Sequence, residues 1–337
     1  MASPKILAKQ SAAREELAQR IDLTARPEFI ERYIYGSLPE YRDGGGSPDD
    51  CRISIVQNDG TGAATVEYET EDAIRVFAKL YYDNSGEHSY NVLKTLWNNG
   101  LGTNSRYRVS EPLGFFPQYN MLLIRGATGS PVSSARTDAE LASGAREAAR
   151  WLVQLHSSAV RVGEARYPWE VYHKLTHRLA KAAAQHPDRV DDLIEMADRF
   201  EQLARAVKLH FVQAHGQYRH IHVFVSSETV TVIDLDRSRP SDPAQDLGEF
   251  LHRMRTKRFK ATVGLSRAEE ATRVFLDEYQ DKLPENLINL PYYWCYHTLV
   301  SLWRFMKSSA PDDPRWGPMI DFYMSEFEKA LSYRRIN

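Results

Sequence analysis

Residues 215–250 read HGQYRHIHVFVSSETVTVIDLDRSRPSDPAQDLGEF, the densest run of polar groups in the chain. His215, Gln217, Arg219, His220 and His222 precede an apolar run from Val223 to Val225. A Ser-Ser-Glu turn then leads into a second run, Thr229 to Ile233, which ends on Asp234 and Asp236. Two short β-prone runs joined by a polar turn predict a hairpin, and an antiparallel hairpin returns its outer ends to one place. The histidine-rich loop and the two acids are therefore expected to face one another. Carboxylates at a strand end suit a hard cation such as Mg²⁺, held by one or two acids together with phosphates. The plainer alternative is that Asp234 caps a turn.

Upstream the pattern is that of a small sheet. Cys51 to Val56 and Thr65 to Tyr68 alternate, and Ile74 to Tyr82 is rich in β-branched and aromatic residues. Asp59-Gly60 with Gly62, and then Glu71-Asp72, mark the turns of an antiparallel meander. A helix is predicted over Tyr90 to Trp97, with Val92, Leu93 and Leu96 on one face and Asn98-Asn99-Gly100 as its stop. A further strand pair is predicted at Glu111 to Phe116 and Asn120 to Arg125. Before the sheet, Ala13, Leu17 and Ile21 recur at helical steps, and the turn-rich YRDGGGSPDD at 41–50 reads as a connector. From about residue 138 the period becomes helical. Ala145, Ala148, Ala149, Leu152, Leu155 and His156 form one stripe, Asp188 to Gln213 follows Pro187 as a helical run, and helices are predicted over 267–281, 292–307 and 317–333. The division expected is residues 1–49 as a helical extension and linker, 50–128 as a sheet domain, and 129–337 as a mainly helical domain, with a cleft between the last two.

The 337 residues are 42% hydrophobic and carry a formal charge of −2, so the chain can build real cores and lacks the basic excess of a nucleic-acid binder. The local run Arg253, Arg255, Lys257, Arg258 and Lys260 reads as a solvated face. Cys51 and Cys295 have no metal-ligand spacing, which points to a reducing compartment. The first twenty residues hold no signal-peptide core, and no apolar run approaches a membrane span. A cytoplasmic protein is expected, without nucleic-acid or membrane partners.

These strings, taken in order, resemble the aminoglycoside phosphotransferases and choline kinases. Members of that group typically show His-Gly-Asp-x-x-x-x-Asn, a strand pair, an Asp-x-Asp triplet and then Gly-Asp-Pro-x-x-Asp-Leu; here HGQYRHIH, IDLD and SDPAQDLGEF stand in those places. WLVQLHSS at 151–158 resembles the helix ending in Leu-His-Ser, VFAKLYY at 76–82 the strand of the nucleotide lysine, and LLIRGATG at 122–129 the hinge. The resemblance spans roughly residues 50 to 330. It implies an α+β, two-lobed protein-kinase-like fold, with a small antiparallel-sheet N-lobe and a larger, mainly helical C-lobe. It also implies that Lys79 contacts the ATP phosphates, that backbone around Leu123, Ile124 and Arg125 reads the adenine, and that Asp234 holds Mg²⁺. His215 would brace the catalytic loop and Asp246 would support it. Lys79 could instead be an edge-strand lysine that blocks aggregation, but its alternation with Phe77 and Tyr81 favours a cleft role.

The departures from the pattern are as informative. The family's catalytic aspartate falls on Gln217, whose amide cannot accept a proton as a base, and the metal-binding Asn falls on His222. The glutamate that pairs with the strand lysine has no clean counterpart: Glu87 comes early, and Ser89 and Asn91 take the usual helical positions. Three readings follow. One is an atypical ATP-dependent phosphotransferase acting on a small-molecule hydroxyl, with Asp236, His220 or His222 assisting. The second is a pseudokinase that binds nucleotide or a protein partner. The third is a transition-metal site built from His215, His220, His222 and Asp234. Tyr292, Tyr293, Trp294, Tyr296, Trp303 and Phe305 either line a pocket for a cationic or aromatic acceptor or fill the helical core.

Overall fold

The computed structural model describes residues 15–42, 44, 46–58, 63–83, 85–256, 264–310 and 313–333. Ala13, Gly45, the turn residues Asp59, Gly60 and Gly62, and the basic residues Lys257, Arg258 and Lys260 lie outside the described residues. The chain divides into two units, Met1–Thr128 with Thr231–Asp236, and Gly129–Val230 with Arg237–Asn337.

In the first unit a helix, α1 (residues 15–24), is followed by short helical turns up to Tyr41. Then come β1 (Arg52–Asn58), β2 (Ala63–Glu69), β3 (Arg75–Tyr81), α2 (Ser85–Asn98), β4 (Tyr107–Val109), β5 (Pro112–Phe116) and β6 (Met121–Arg125). The main sheet has the order β1-β2-β3-β6-β5, with antiparallel neighbours throughout, as the alternating runs predict. Period-two alternation sends Val76, Ala78 and Leu80 of β3 into the core at 0% exposure, leaving Phe77, Lys79 and Tyr81 on the other face. Because β3 lies between β2 and β6, Lys79 is not an edge lysine, and the aggregation-blocking explanation falls away.

The segment expected to be an extension and linker instead supplies half of this core. Leu17, Ile21, Phe29, Ile30, Tyr33, Ile34, Tyr35, Leu38 and Tyr41 are buried against Val66, Tyr68, Val76 and Leu123. Polar ties fix it there: Tyr68 donates to Thr24 O at 3.0 Å, and Arg20 donates to the carbonyls of Tyr81 and Tyr119 at 2.9 and 3.1 Å. A sheet with one apolar face needs a cover, and residues 15–41 provide it.

The second unit contains β7 (Ser130–Pro131), α3 (Asp138–Ser157), α4 (Pro168–Gln185), α5 (Val190–Ala206), β8 (Val212–Ala214) and β9 (Val223–Val225). β10 (Val230–Val232) carries the chain into the first unit, where Val232 O accepts the Ser110 N–H at 3.3 Å. The second unit resumes with β11 (Arg239–Ser241), α6 (Ala244–Arg255), α7 (Leu265–Gln280), α8 (Leu290–Ser308) and α9 (Trp316–Ser332). α3 starts on a capping box, with Thr137 and Glu140 each satisfying the other's backbone N–H. α4 is missed by periodicity, although Pro168 at its first turn is a proper start signal.

The run predicted as helix to Gln213 stops at Ala206. Asn289 takes both backbone groups of Lys208, at 3.1 and 2.6 Å, and residues 212–214 pair with β11. Gly248 lets α6 and α8 approach: a Cβ there would meet the backbone of Tyr293 and Trp294 at 2.8 Å. Tyr292, Tyr293 and Trp294 are at most 3% exposed and fill the core, while Tyr296, Trp303 and Phe305 of the same aromatic set are half-buried. The basic run needs a correction as well. Arg255 is buried, forking onto Glu326 at 2.7 and 2.8 Å and reaching Glu269 at 3.1 Å, so its part of the run is internal ion pairing rather than solvated face.

Candidate active site

In the first unit, β3 and the strand end at 231–236 bring one lysine to two carboxylates. Lys79 Nζ donates to Asp234 Oδ1 at 2.9 Å and Asp236 Oδ2 at 3.2 Å, while the Tyr81 hydroxyl donates to Asp236 Oδ1 at 2.9 Å. Burial alone would lower the Lys79 pKa, but Asp236 and Asp234 overcome it and hold the ammonium well above its ordinary value. Lys79 is therefore charged at any physiological pH. Asp234 adopts φ +67°, a left-handed conformation uncommon outside glycine, which turns its carboxylate toward the lysine rather than along the strand.

Lys79 finds its partners in Asp234 and Asp236, and Ser89 of α2 hydrogen-bonds Tyr81, a residue two places along the same strand face. The expected adenine reader is less well placed. β6 is flanked by β3 and β5, and Arg125 gives its N–H to Glu111 O at 2.9 Å, so the backbone of Leu123–Arg125 is committed to the sheet. The Arg125 guanidinium pairs with Glu111 and Glu40 at 2.6 and 3.0 Å. Two carboxylates against a single ammonium form a hard-oxygen donor set with residual negative charge, and this fits Mg²⁺.

In the second unit the loop at 215–222 leaves β8 and is clamped by Asp246 in the first turn of α6. Asp246 is 0% exposed and accepts the His215 N–H at 2.6 Å and the Gly216 N–H at 2.8 Å. His156, near the end of α3, meets Asp246 Oδ2 through Nε2 at 3.2 Å and the Tyr279 hydroxyl through Nδ1 at 2.6 Å. Burial lowers the His156 pKa, against the pull of Asp246, so the ring is neutral. Donation from Nε2 to the carboxylate then leaves Nδ1 to accept from Tyr279, whose oxygen takes the Asn286 amide at 2.8 Å. Gly216 is needed for the clamp: its φ is +80°, and a Cβ would collide with the Arg237 carbonyl. Gly216→Ala should cost roughly 1–3 kcal/mol of unfolding free energy in urea titration; wild-type stability would refute this backbone geometry.

Within the loop, the Gln217 N–H approaches His215 Nδ1 at 3.3 Å, the rings of His215 and His222 stack at 5.9 Å, and His222 Nδ1 faces Gln217 O at 3.2 Å. Hydrogen-bond complementarity assigns the Gln217 amide oxygen toward Arg219, accepting from Nη1 at 3.1 Å and from Nη2. Arg219 is anchored in turn on Glu249 at 2.9 Å. His220 is buried, and burial, His222, Arg253 and Arg219 together push its pKa to about 3, too low for a replacement general base. Among the described residues no group of three or more His, Cys, Asp or Glu side chains is placed to hold a metal ion.

Periodicity gave no hint of Arg219, Glu249 or Tyr279. Arg219 stands in the polar loop singled out at the start, but its sequence position does not show its partners, and Glu249 and Tyr279 sit on helices where only their chemistry marks them. Among the described residues no helix is long and apolar enough to cross a membrane.

Comparison with known proteins places the chain. No functionally curated protein matches it. Among solved structures, a choline kinase from Cryptosporidium parvum is similar over 91% of this chain and 96% of its own, at 10% identity and a TM-score of 0.60. An ADP-bound aminoglycoside phosphotransferase covers 84% and 95%, at 13% identity and a TM-score of 0.56. A spectinomycin phosphotransferase, solved with ADP and spectinomycin, covers 83% and 92%, at 13% identity and 0.55. These likenesses show a shared α+β fold, with an antiparallel sheet toward the N-terminus and helices toward the C-terminus. The model of the phosphotransferase enzyme family matches residues 59–279, which include Lys79, the loop at 215–222, Asp234 and Asp246. The chain belongs to the phosphotransferase enzyme family.

Proposed function

We propose that this protein transfers the γ-phosphoryl group of ATP to a hydroxyl of a small molecule, without a carboxylate base. The observation that carries this reading is the Lys79–Asp234 ion pair at 2.9 Å, on residues within the segment that matches the family. Lys79 would bind phosphate oxygens. Asp234 and Asp236 would hold Mg²⁺, which when bound supplies positive charge against the phosphates. The acceptor oxygen bonds to phosphorus as the bond to the ADP oxygen breaks, and the hydroxyl proton leaves to water or to a phosphate oxygen. Gln217 cannot take that proton, but it can position the hydroxyl, and most phosphoryl-transfer catalysis comes from positioning and charge. The spectinomycin phosphotransferase and the choline kinase support a small-molecule acceptor as the class.

A pseudokinase reading has one observation in its favour: the Gln217 amide is tied to Arg219, which leaves the loop with no acid or base at that position. Titration calorimetry with ATP, with and without Mg²⁺, tests the part common to both readings. Lys79→Ala and Asp234→Ala should each weaken binding at least tenfold, as expected for the loss of a charged hydrogen bond. Undiminished affinity in both variants would refute the nucleotide site. Phosphorylation of any small alcohol by the wild type then separates enzyme from pseudokinase.

A further inference from the structure

Beside Gln217 lies a cluster that the nucleotide chemistry does not use. Glu249 of α6 is 5% exposed, and one of its oxygens takes Arg219 Nε at 2.9 Å and Arg253 Nε at 3.3 Å. α8 packs against this face of α6 with His297, Ser301 and Arg304 at steps of four and three, the spacing of one helical stripe. His252 meets the Ser301 hydroxyl at 2.7 Å, and His297 meets Gln245 O at 3.3 Å. Burial lowers the pKa of His297 to about 4 and that of His252 well below its ordinary value, so neither adds charge at neutral pH. Burial would raise the Glu249 pKa, yet its cationic neighbours, His297 when charged and Arg219 and Arg253 throughout, hold it near an ionised value of about 2.

Two guanidiniums thus share one carboxylate, and a third, that of Arg304, adds its charge beside Arg253. Arg219 is fully engaged, with Nε on Glu249 and its outer nitrogens on Gln217. Arg253 has only Nε committed, to Glu249, and both Arg219 and Arg304 act on its charge. Arg304 is exposed and has no ion-pair partner among the described residues. The Gln217 amide, with its oxygen occupied, presents its N–H₂ as a donor where the family pattern has an acceptor. An excess of fixed positive charge with free N–H donors repels a cation and attracts an oxyanion, for which the arginine fork is shaped. The aromatic route to a cationic acceptor is also partly blocked, because Trp303 already carries Arg178 and Lys307 against its ring at 4.6 and 5.5 Å.

We propose that the acceptor carries an oxyanion, a carboxylate or a phosphate, bound by Arg253 and Arg304 beside the Gln217 amide. The word acceptor rests on the phosphotransferase reading; the anion site does not. The experiment is calorimetric titration of the full chain with D-glycerate, inorganic phosphate and choline, each without nucleotide, alongside a separate titration with ATP. D-Glycerate or phosphate should bind, choline should not, and which of the two binds more tightly tells carboxylate from phosphate. Arg304→Gln, at an exposed position outside the fold's ion pairs, should weaken that binding about tenfold, and Arg304→Lys should restore part of it. Affinity should also fall with added salt. Failure of both anions to bind, equal binding by the wild type and Arg304→Gln, or preferential binding of choline would each overturn the anion site. Failure of ATP alone to bind would sink the phosphotransferase reading and leave the anion titrations as they stand.

Discussion

Gln217→Asp should raise the rate of ATP consumption by about 10², the lower end of what a positioned general base contributes. The reason for the lower end is Arg219. Its outer nitrogens now donate to the Gln217 amide oxygen, at 3.1 Å for Nη1, and would form an ion pair with a carboxylate placed there. A carboxylate held by a guanidinium has a depressed pKa and is a weaker base. The Gln217→Asp, Arg219→Gln double variant should therefore turn over faster than the single one, since Arg253 still neutralises Glu249. The measurement is steady-state ADP release, with water as the default acceptor and a panel of hydroxy compounds in parallel. If neither variant exceeds the wild type while both still bind ATP, the loop at 215–222 is not where phosphoryl transfer occurs. A gain from a wild-type rate of zero would favour the pseudokinase reading.

Asp246→Ala should cost about 3–5 kcal/mol of stability, because it strips partners from several buried groups at once. The His215 and Gly216 N–H groups lose their acceptor at 2.6 and 2.8 Å, and His156 loses its carboxylate at 3.2 Å, all in a buried region. Asp246→Asn keeps one acceptor oxygen and should cost roughly half as much. Urea unfolding reads the stability, and ATP calorimetry on the folded fraction should show little change, since Lys79 and Asp234 belong to the other unit. A loss below about 1 kcal/mol for the alanine variant would mean that the loop backbone finds water or other partners, and the clamp would be refuted.

Local pattern was sufficient for the elements it could encode. Alternation located β1 and β2, and β-branched and aromatic content located β3, to within a few residues, because such side chains suit a pleated, partly buried surface. The stripe from Ala145 to His156 announced α3 for the analogous reason. The ordered strings at 79, 215, 234 and 246 marked out the candidate site, since phosphate, metal and loop backbone each demand a particular residue type. What local pattern could not hold is pairing between distant segments. The cover that residues 15–41 lay on the sheet, the end of α5 imposed by Asn289 on Lys208, and the burial of Arg255 against Glu326 all depend on partners far away in sequence. The same is true of the site's electrostatics. A histidine reads as a base until burial and neighbouring charge hold His220 near a pKa of 3, and Gln217 reads as an open position until Arg219 occupies it. Sequence by itself determined the family, the sheet and the identity of the candidate groups, because these follow from residue type and spacing along one segment. Tertiary structure alone decided which groups are charged, paired or committed, because Coulomb interaction and desolvation depend on distance and burial in space.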